Sequence, residues 1–116
     1  MKAKPMSKEI KLPRIIKAFV KAKNDRDVNA VINCFASDAV VHDEGREMRG
    51  VTAIKEWSDE VNKKYKPHAE VTNVAEIGDK TIVTADVSGS FPGSPVQLRY
   101  NFTLKGDKIA ALLIEG

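Results

Sequence analysis

Three consecutive residues, His42, Asp43 and Glu44, carry the side chains best suited to chemistry in this chain. A histidine beside two carboxylates can transfer protons or hold a metal ion. These residues close a short apolar run that is typical of a β-strand over Ala39–Asp43. Because side chains alternate along a strand, Asp43 is predicted to lie on the apolar, inward face and His42 on the opposite face.

An inward carboxylate at position 43 would be partly removed from water, which raises its pKa toward the range useful for a general base. The alternative is an exposed aspartate at the strand end, capping a polar loop predicted over Glu44–Arg49. His42 is predicted to be a surface or interface histidine, and Glu44 to lie at the edge of the loop. No recognised metal-ligand spacing connects these residues to His68, so neither a metal nor a cofactor is expected.

Three amphipathic helices are predicted around this strand. The first begins near Pro13, which suits a first helical turn, and ends near Asn24. The second begins after Asp27, a good N-cap, and its apolar stripe continues to Phe35. The third opens after Gly50 and follows the polar loop. Each helix has one apolar face, which must pack against a common core.

From residue 68 onward the hydrophobic period changes from 3.6 to 2, which predicts strands. Turn signals divide this half of the chain into four strands, Glu70–Ile77, Thr81–Phe91, Val96–Leu104 and Lys108–Glu115. The early strand over 39–43 can join the edge of this meander. The expected class is α+β, with a strongly curved, mostly antiparallel sheet that wraps on three helices and leaves a cone-shaped interior.

Tyr100 is predicted to lie on the inward face of its strand, among large apolar residues. A buried tyrosine usually finds a structural hydrogen bond for its hydroxyl. If Asp43 is catalytic, Tyr100 is instead the natural donor to a developing oxyanion across the pocket. Aromatic side chains are predicted to form the core and the pocket wall, with substrate contacts from Phe19, Phe35, Trp57 and Phe102.

Length and composition limit the range of functions. The chain has 116 residues, 42% of them hydrophobic, and a net charge of +3, which fits one domain over 13–116. Residues 1–12 contain four lysines and are predicted to form a flexible basic arm. Basic and aromatic residues do not interleave along one face, so nucleic acid is not an expected partner.

The sequence contains no recognisable signal for export or for insertion into a membrane. No apolar run approaches the ~20 residues of a membrane span, and no signal peptide is recognisable. Cys34 is the only cysteine in the sequence, so an intrachain disulfide is impossible, and this fits a reducing compartment. A cytoplasmic protein without membrane contacts is therefore expected.

The last predicted strand, which contains IAALLI, is apolar on both faces. An antiparallel strand with one solvated face would alternate instead. Because no further helix remains in the sequence to cover the second face, a partner subunit is the expected cover. The sequence therefore predicts a homodimer through the open face of the sheet.

Taken together, the residues resemble a known family. The run FVKAKNDRDVNAVINCFASDAVVHDEG, then RG..AI..W and a β-meander ending in KIAALLI, is similar to the nuclear transport factor 2-like superfamily, in particular its SnoaL-like branch. The resemblance covers roughly residues 13–115 and implies the cone-shaped, cystatin-like barrel. The superfamily includes ketosteroid isomerases, polyketide cyclases, dehydratases, epoxide hydrolases and non-catalytic binding modules.

The resemblance assigns roles residue by residue. Asp43 falls on the position of the isomerase general base. The isomerase's tyrosine donor on the first helix corresponds to Phe19, which cannot donate, and its protonated aspartate on a late strand falls near Tyr100. The late-strand carboxylate of the cyclases has no counterpart, because Val96–Leu104 contains neither Asp nor Glu.

Two functions follow as expectations. The first is a small-molecule enzyme of isomerase, cyclase, dehydratase or hydrolase type, with Asp43 and Tyr100 as catalytic residues and a small apolar or carbonyl-containing substrate. The second is a non-catalytic ligand-binding or dimerisation module of the same fold. The incomplete catalytic set, with Phe19 in place of a donor, favours the second, and the inward carboxylate favours the first.

Overall fold

The computed structural model describes residues 10–116, so the arm predicted over 1–12 lies for the most part outside the described residues. The elements are α1 Arg14–Asp25, α2 Val28–Asn33, β1 Phe35–Asp43, β2 Arg46–Arg49, α3 Val51–Tyr65, β3 His68–Ile77, β4 Lys80–Ser88, β5 Val96–Lys105 and β6 Lys108–Glu115. None of the helices within residues 10–116 is long and apolar enough to cross a membrane.

The six strands form one curled, open sheet in the order β2-β1-β6-β5-β4-β3. β1 and β6 run parallel, and the other neighbouring strands are antiparallel. The helices pack against the concave side of the sheet, where Ile16, Phe19, Ile54 and Phe102 are almost completely buried. This arrangement confirms the predicted α+β class and the curved sheet wrapped on three helices.

The second helix is shorter than its apolar stripe predicts. It ends at Asn33, and Phe35 begins β1 instead of closing the helix. The backbone N–H of Ile109 donates to the carbonyl of Cys34 at 2.9 Å, and Phe35 lies opposite Ile109 in the parallel pair. Pairing with β6 therefore ends the helix, while Phe35 remains buried as a strand residue.

The prediction of a polar loop over Glu44–Arg49 was wrong, because most of this segment is a strand. β2 pairs with β1 and places Arg46 opposite Asp43. Between them Glu44 and Gly45 have φ angles of 54° and 74°, which is the pair of positive values that a type I′ hairpin turn requires. The turn ends β1 directly after Asp43 and fixes that residue at the rim of the sheet.

The apolar run in β6 contains a β-bulge. The register with β5 shifts after Ile109, which leaves Ala110 as an extra residue. The bulge shifts the alternation, so Ile109, Leu112 and Ile114 are all buried. Leu113 faces outward and is 43% exposed. Much of the pattern that suggested two apolar faces therefore belongs to one face.

Asn24 ties the end of α1 to the sheet. Its side-chain nitrogen donates to the carbonyl of Ala69 at 2.9 Å, and the N–H of Ala69 donates to the side-chain oxygen at 2.8 Å. One amide thus satisfies both backbone groups of a residue near the start of β3. The clamp holds the last turn of α1, and with it Lys23, against the open end of the curled sheet.

Candidate functional site

A cavity of about 360 Å³ lies between the end of α1, the C-terminal half of α3 and the concave face of the sheet. Within the described residues 10–116, most of its lining is apolar or aromatic, and three charged side chains reach it. The lining consists of Lys23, Asp43, Glu44, Trp57, Val61, Tyr65, Pro67, Val87, Phe91, Pro92, Val96, Leu98, Tyr100 and Ile114. Its size and mixed lining are typical of a small-molecule site.

Asp43 reaches this cavity from the end of β1, as strand alternation predicts. Its Oδ2 accepts a hydrogen bond of 3.0 Å from the indole nitrogen of Trp57. Burial raises the pKa of Asp43, and the adjacent charge of Glu44 raises it further, while the Trp57 bond and the positive charge of Lys23 oppose the rise. The carboxylate is therefore more basic than an ordinary aspartate, and one of its oxygens is fixed in position.

Tyr100 lines the same cavity from β5. Its side chain is 4% exposed, and among residues 10–116 its hydroxyl has no hydrogen-bond partner. Burial raises the pKa of Tyr100, and the negative charge of Asp43 raises it further. The phenol is therefore protonated throughout the physiological range, and it has a free donor for a bound molecule.

Lys23 is a cavity residue that the sequence analysis missed. It is partly buried, and its Nζ lies 6.0 Å from the ring centroid of Tyr100. Burial lowers the pKa of Lys23 to about 8, the nearby Arg26 lowers it too, and Asp43 opposes the shift. A signal was available, because position 23 follows Ile16 and Phe19 at the i+7 and i+4 spacings of the buried stripe.

Glu44 and Tyr65 form a second polar contact at the cavity. The Tyr65 hydroxyl donates to a Glu44 carboxylate oxygen at 3.0 Å, and the Tyr65 ring packs edge-on against Phe91 at 5.7 Å between centroids. The sequence predicts Glu44 at the edge of a loop. The hairpin turn is what brings Glu44 to the cavity.

The four residues predicted to contact a substrate occupy different places. Trp57 lines the cavity, where it holds Asp43. Phe19, Phe35 and Phe102 do not line it, because they pack together in the core with edge-on contacts of 5.8 and 5.6 Å between ring centroids. The cavity wall is instead completed by residues near the open end of the sheet, Phe91 among them.

His42 faces away from the cavity, as alternation predicts. Its side chain is 48% exposed, and its Nε2 lies 4.0 Å from a carboxylate oxygen of Glu47 on the neighbouring strand. Within the described part of the chain, no group of three or more His, Cys, Asp or Glu side chains is placed to hold a metal ion. The initial cluster of His42, Asp43 and Glu44 is thus divided between two faces of the sheet.

This curled sheet over three helices is the nuclear transport factor 2-like fold, also called cystatin-like. Within that class the chain belongs to the SnoaL-like domain family, whose model matches residues 16–112. No functionally curated protein shows significant similarity to the chain.

Several solved structures are similar to this one. A Sinorhizobium meliloti protein, provisionally assigned as a polyketide cyclase, is 44% identical with a TM-score of 0.86, and the match covers 90% of this chain and 95% of that one. A Catenulispora acidiphila protein with a ketosteroid isomerase-like fold, solved with trimethylamine, is 22% identical with a TM-score of 0.80 over 91% and 87%. A Xanthomonas campestris protein, also provisionally assigned as a polyketide cyclase, is 17% identical with a TM-score of 0.74 over 86% and 85%. The last two share the fold alone.

Proposed function

We propose that this protein is a small-molecule enzyme in which Asp43 removes a proton from a carbon next to a carbonyl group. The observation that carries the proposal is a partly buried carboxylate of raised pKa in an apolar cavity, close to the Tyr100 hydroxyl, which has no hydrogen-bond partner in the described part of the chain. A general base works best when its pKa approaches the working pH, and burial moves Asp43 in that direction.

The contacts of Asp43 suggest how the proton transfer proceeds. Trp57 holds Oδ2, which leaves Oδ1 to take the proton from the substrate carbon. The electron pair moves onto the carbonyl oxygen, and the Tyr100 hydroxyl donates to the oxygen as its negative charge develops. Return of the proton to another carbon isomerises the substrate, and attack of the enolate carbon on a second carbonyl closes a ring.

The apolar lining supports the same chemistry. Valine, leucine and isoleucine side chains from α3 and the sheet, with prolines from two connecting loops, keep water from the reacting carbon. They also strengthen the charge interactions of Asp43 and Tyr100. The Sinorhizobium meliloti relative is provisionally assigned as a polyketide cyclase, and such cyclisation also begins with a carbanion next to a carbonyl. Val96–Lys105 contains no carboxylate, so Asp43 supplies the base in this proposal.

The experiment is an isomerisation assay with 3-cyclohexen-1-one, whose conversion to the conjugated 2-cyclohexen-1-one is followed by ultraviolet absorbance. We expect Asp43→Asn to lower kcat about 10²–10⁴-fold and Tyr100→Phe to lower it about 10²-fold. Asp86→Asn is the matched control, because Asp86 is an exposed carboxylate on the outer side of β4.

Turnover that survives Asp43→Asn would contradict the proposed role of this residue. If the wild-type protein binds small carbonyl compounds but converts none of them, the non-catalytic binding module becomes the better account. In that case Asp43→Asn changes only the affinity for the bound compound or the stability of the fold.

We also propose that two copies pair through the outer face of the sheet. Leu113 is exposed there, opposite His42 on one side and Asn101 on the other. Ion pairs flank it, with Arg49 2.7 Å from Glu47 and Arg99 3.8 Å from Glu115. A small apolar centre with charges of both signs around it is self-complementary under two-fold symmetry.

A further inference from the structure

Among residues 10–116, Lys23 is the only positively charged side chain that lines the cavity. Within residues 10–116 its amine has no ion-pair or hydrogen-bond partner, unlike that of Lys21, which pairs with Asp25 at 2.7 Å. The proposed proton abstraction by Asp43 does not use this amine. An unpartnered amine in a largely apolar cavity therefore requires its own explanation.

The surroundings of Lys23 increase the neutral, nucleophilic fraction of its amine. Asp43 on β1 and Arg26 on α1 act on its charge in opposite directions, burial outweighs both, and the pKa falls to about 8. The other titratable groups at the cavity are Glu44, Tyr65 and the protonated Tyr100. Desolvated lysines of this kind serve as nucleophiles toward carbonyl carbons.

We infer that Lys23 condenses with a small apolar aldehyde or ketone bound in the cavity and forms an imine. The neutral Nζ attacks the carbonyl carbon, so that a nitrogen–carbon bond forms and one nitrogen proton moves to the oxygen. A second proton, taken from the medium, lets that oxygen leave as water while the carbon–nitrogen double bond forms. The product is a protonated imine, and no oxidant or reductant is consumed.

This inference goes beyond the proposed function and does not depend on it. Imine formation expels the carbonyl oxygen that Tyr100 contacts in the proposed proton transfer, so the two reactions involve different states of the bound molecule. The inference limits the reactive ligands to small apolar aldehydes and ketones. An ester or amide would not form this imine.

The experiment traps the imine by reduction. The protein is incubated with benzaldehyde and sodium cyanoborohydride at pH 7, and the labelled positions among its fourteen lysines are mapped by mass spectrometry of chymotryptic peptides. We expect Lys23 to be labelled about tenfold or more faster than the exposed lysines, because a larger fraction of its amine is neutral at this pH.

Three variants test whether the labelling is specific to Lys23 and separate from turnover. Lys23→Met should abolish the fast labelling phase in the intact protein, whereas Lys21→Met, an exposed neighbour on the same helix, should leave it unchanged. Asp43→Asn should retain fast labelling while it loses turnover, so this inference and the proposed function fail separately. The inference is overturned if labelling rates in the wild-type protein follow the solvent exposure of each lysine, with Lys23 no faster than the rest. This readout does not require any variant to fold.

Discussion

At the scale of single residues, Asp43 is held in an environment that opposes its charge. Burial and the neighbouring Glu44 disfavour the ionised form more than Trp57 and Lys23 favour it, so the pKa rises. Groups with such a balance lower the stability of the folded state when they are ionised, and they cluster at functional sites. The partly buried Lys23, with its lowered pKa, is a second case in the same cavity.

We predict that Asp43→Asn stabilises the protein at pH 7. The folded pKa of Asp43 lies above its unfolded value, so the folded state binds more protons between these two values and wild-type stability falls as pH rises through that window. Asparagine carries no charge, so it removes the cost of burying an ionised carboxylate, and it can still accept the Trp57 hydrogen bond. Thermal unfolding should show the variant above wild type at pH 7, with the gain shrinking toward pH 4.

Asp86→Asn again provides the comparison, because an exposed carboxylate has no burial penalty to remove. An Asp43→Asn variant that is less stable than wild type at pH 7 and equally stable at low pH would contradict this prediction. In that case the net effect of the surroundings on Asp43 is to favour its charge.

At the scale of elements, the sequence predicts strands and helices well where local pattern decides them. The alternation that turns Asp43 inward and His42 outward is preserved. The prediction fails where pairing with a distant strand determines the secondary structure. Phe35 has helical spacing from Val31, but its pairing with β6 makes it a strand residue. It also fails at the Glu44-Gly45 turn, because glutamate is not among the residues usually found at the first position of a type I′ turn.

Lys23 shows that local sequence pattern is also insufficient to predict every residue of the site. A charged residue on a buried helical stripe can be recognised in the sequence, but its spacing alone does not tell whether the side chain points to solvent or to a cavity. That depends on the clamp by which Asn24 holds the end of α1 against β3.

We predict that Asn24→Ala lowers the free energy of unfolding by about 2 kcal/mol, because it removes two hydrogen bonds and leaves both backbone groups of Ala69 without this partner. Chemical denaturation at pH 7 measures the change. Asn73→Ala is the control, since Asn73 is exposed on the same strand, and we expect a change within about 0.5 kcal/mol. Equal effects of the two substitutions would mean that the clamp contributes nothing.

At the scale of the whole molecule, the three helices close one end of the curled sheet and leave the cavity at the other. Phe19, Phe35 and Phe102 fill the closed end. Charged and aromatic residues gather at the open end, around Asp43 and Tyr100. The packed core and the cavity thus share the concave side of one sheet, and the proposed assembly uses its convex side.

We predict that the wild-type protein has twice the monomer mass at micromolar concentration and that Leu113→Lys reduces it to the monomer. The substitution places a charge at the apolar centre of the outer face. Light scattering coupled to size-exclusion chromatography measures both masses. Ile77→Lys is the matched control, because Ile77 is 64% exposed at the β3–β4 hairpin, outside the proposed interface. A monomeric wild-type protein would refute the assembly.

The most direct test of the central claim is deuterium exchange at a carbon next to a carbonyl. With 2-tetralone in D₂O, proton NMR follows the loss of the α-proton signals in the presence of wild-type protein, Asp43→Asn and Asp86→Asn. We predict acceleration above buffer by the wild type and by Asp86→Asn, and a rate about 10²–10⁴-fold lower for Asp43→Asn. Exchange by Asp43→Asn at the wild-type rate would show that Asp43 is not the base.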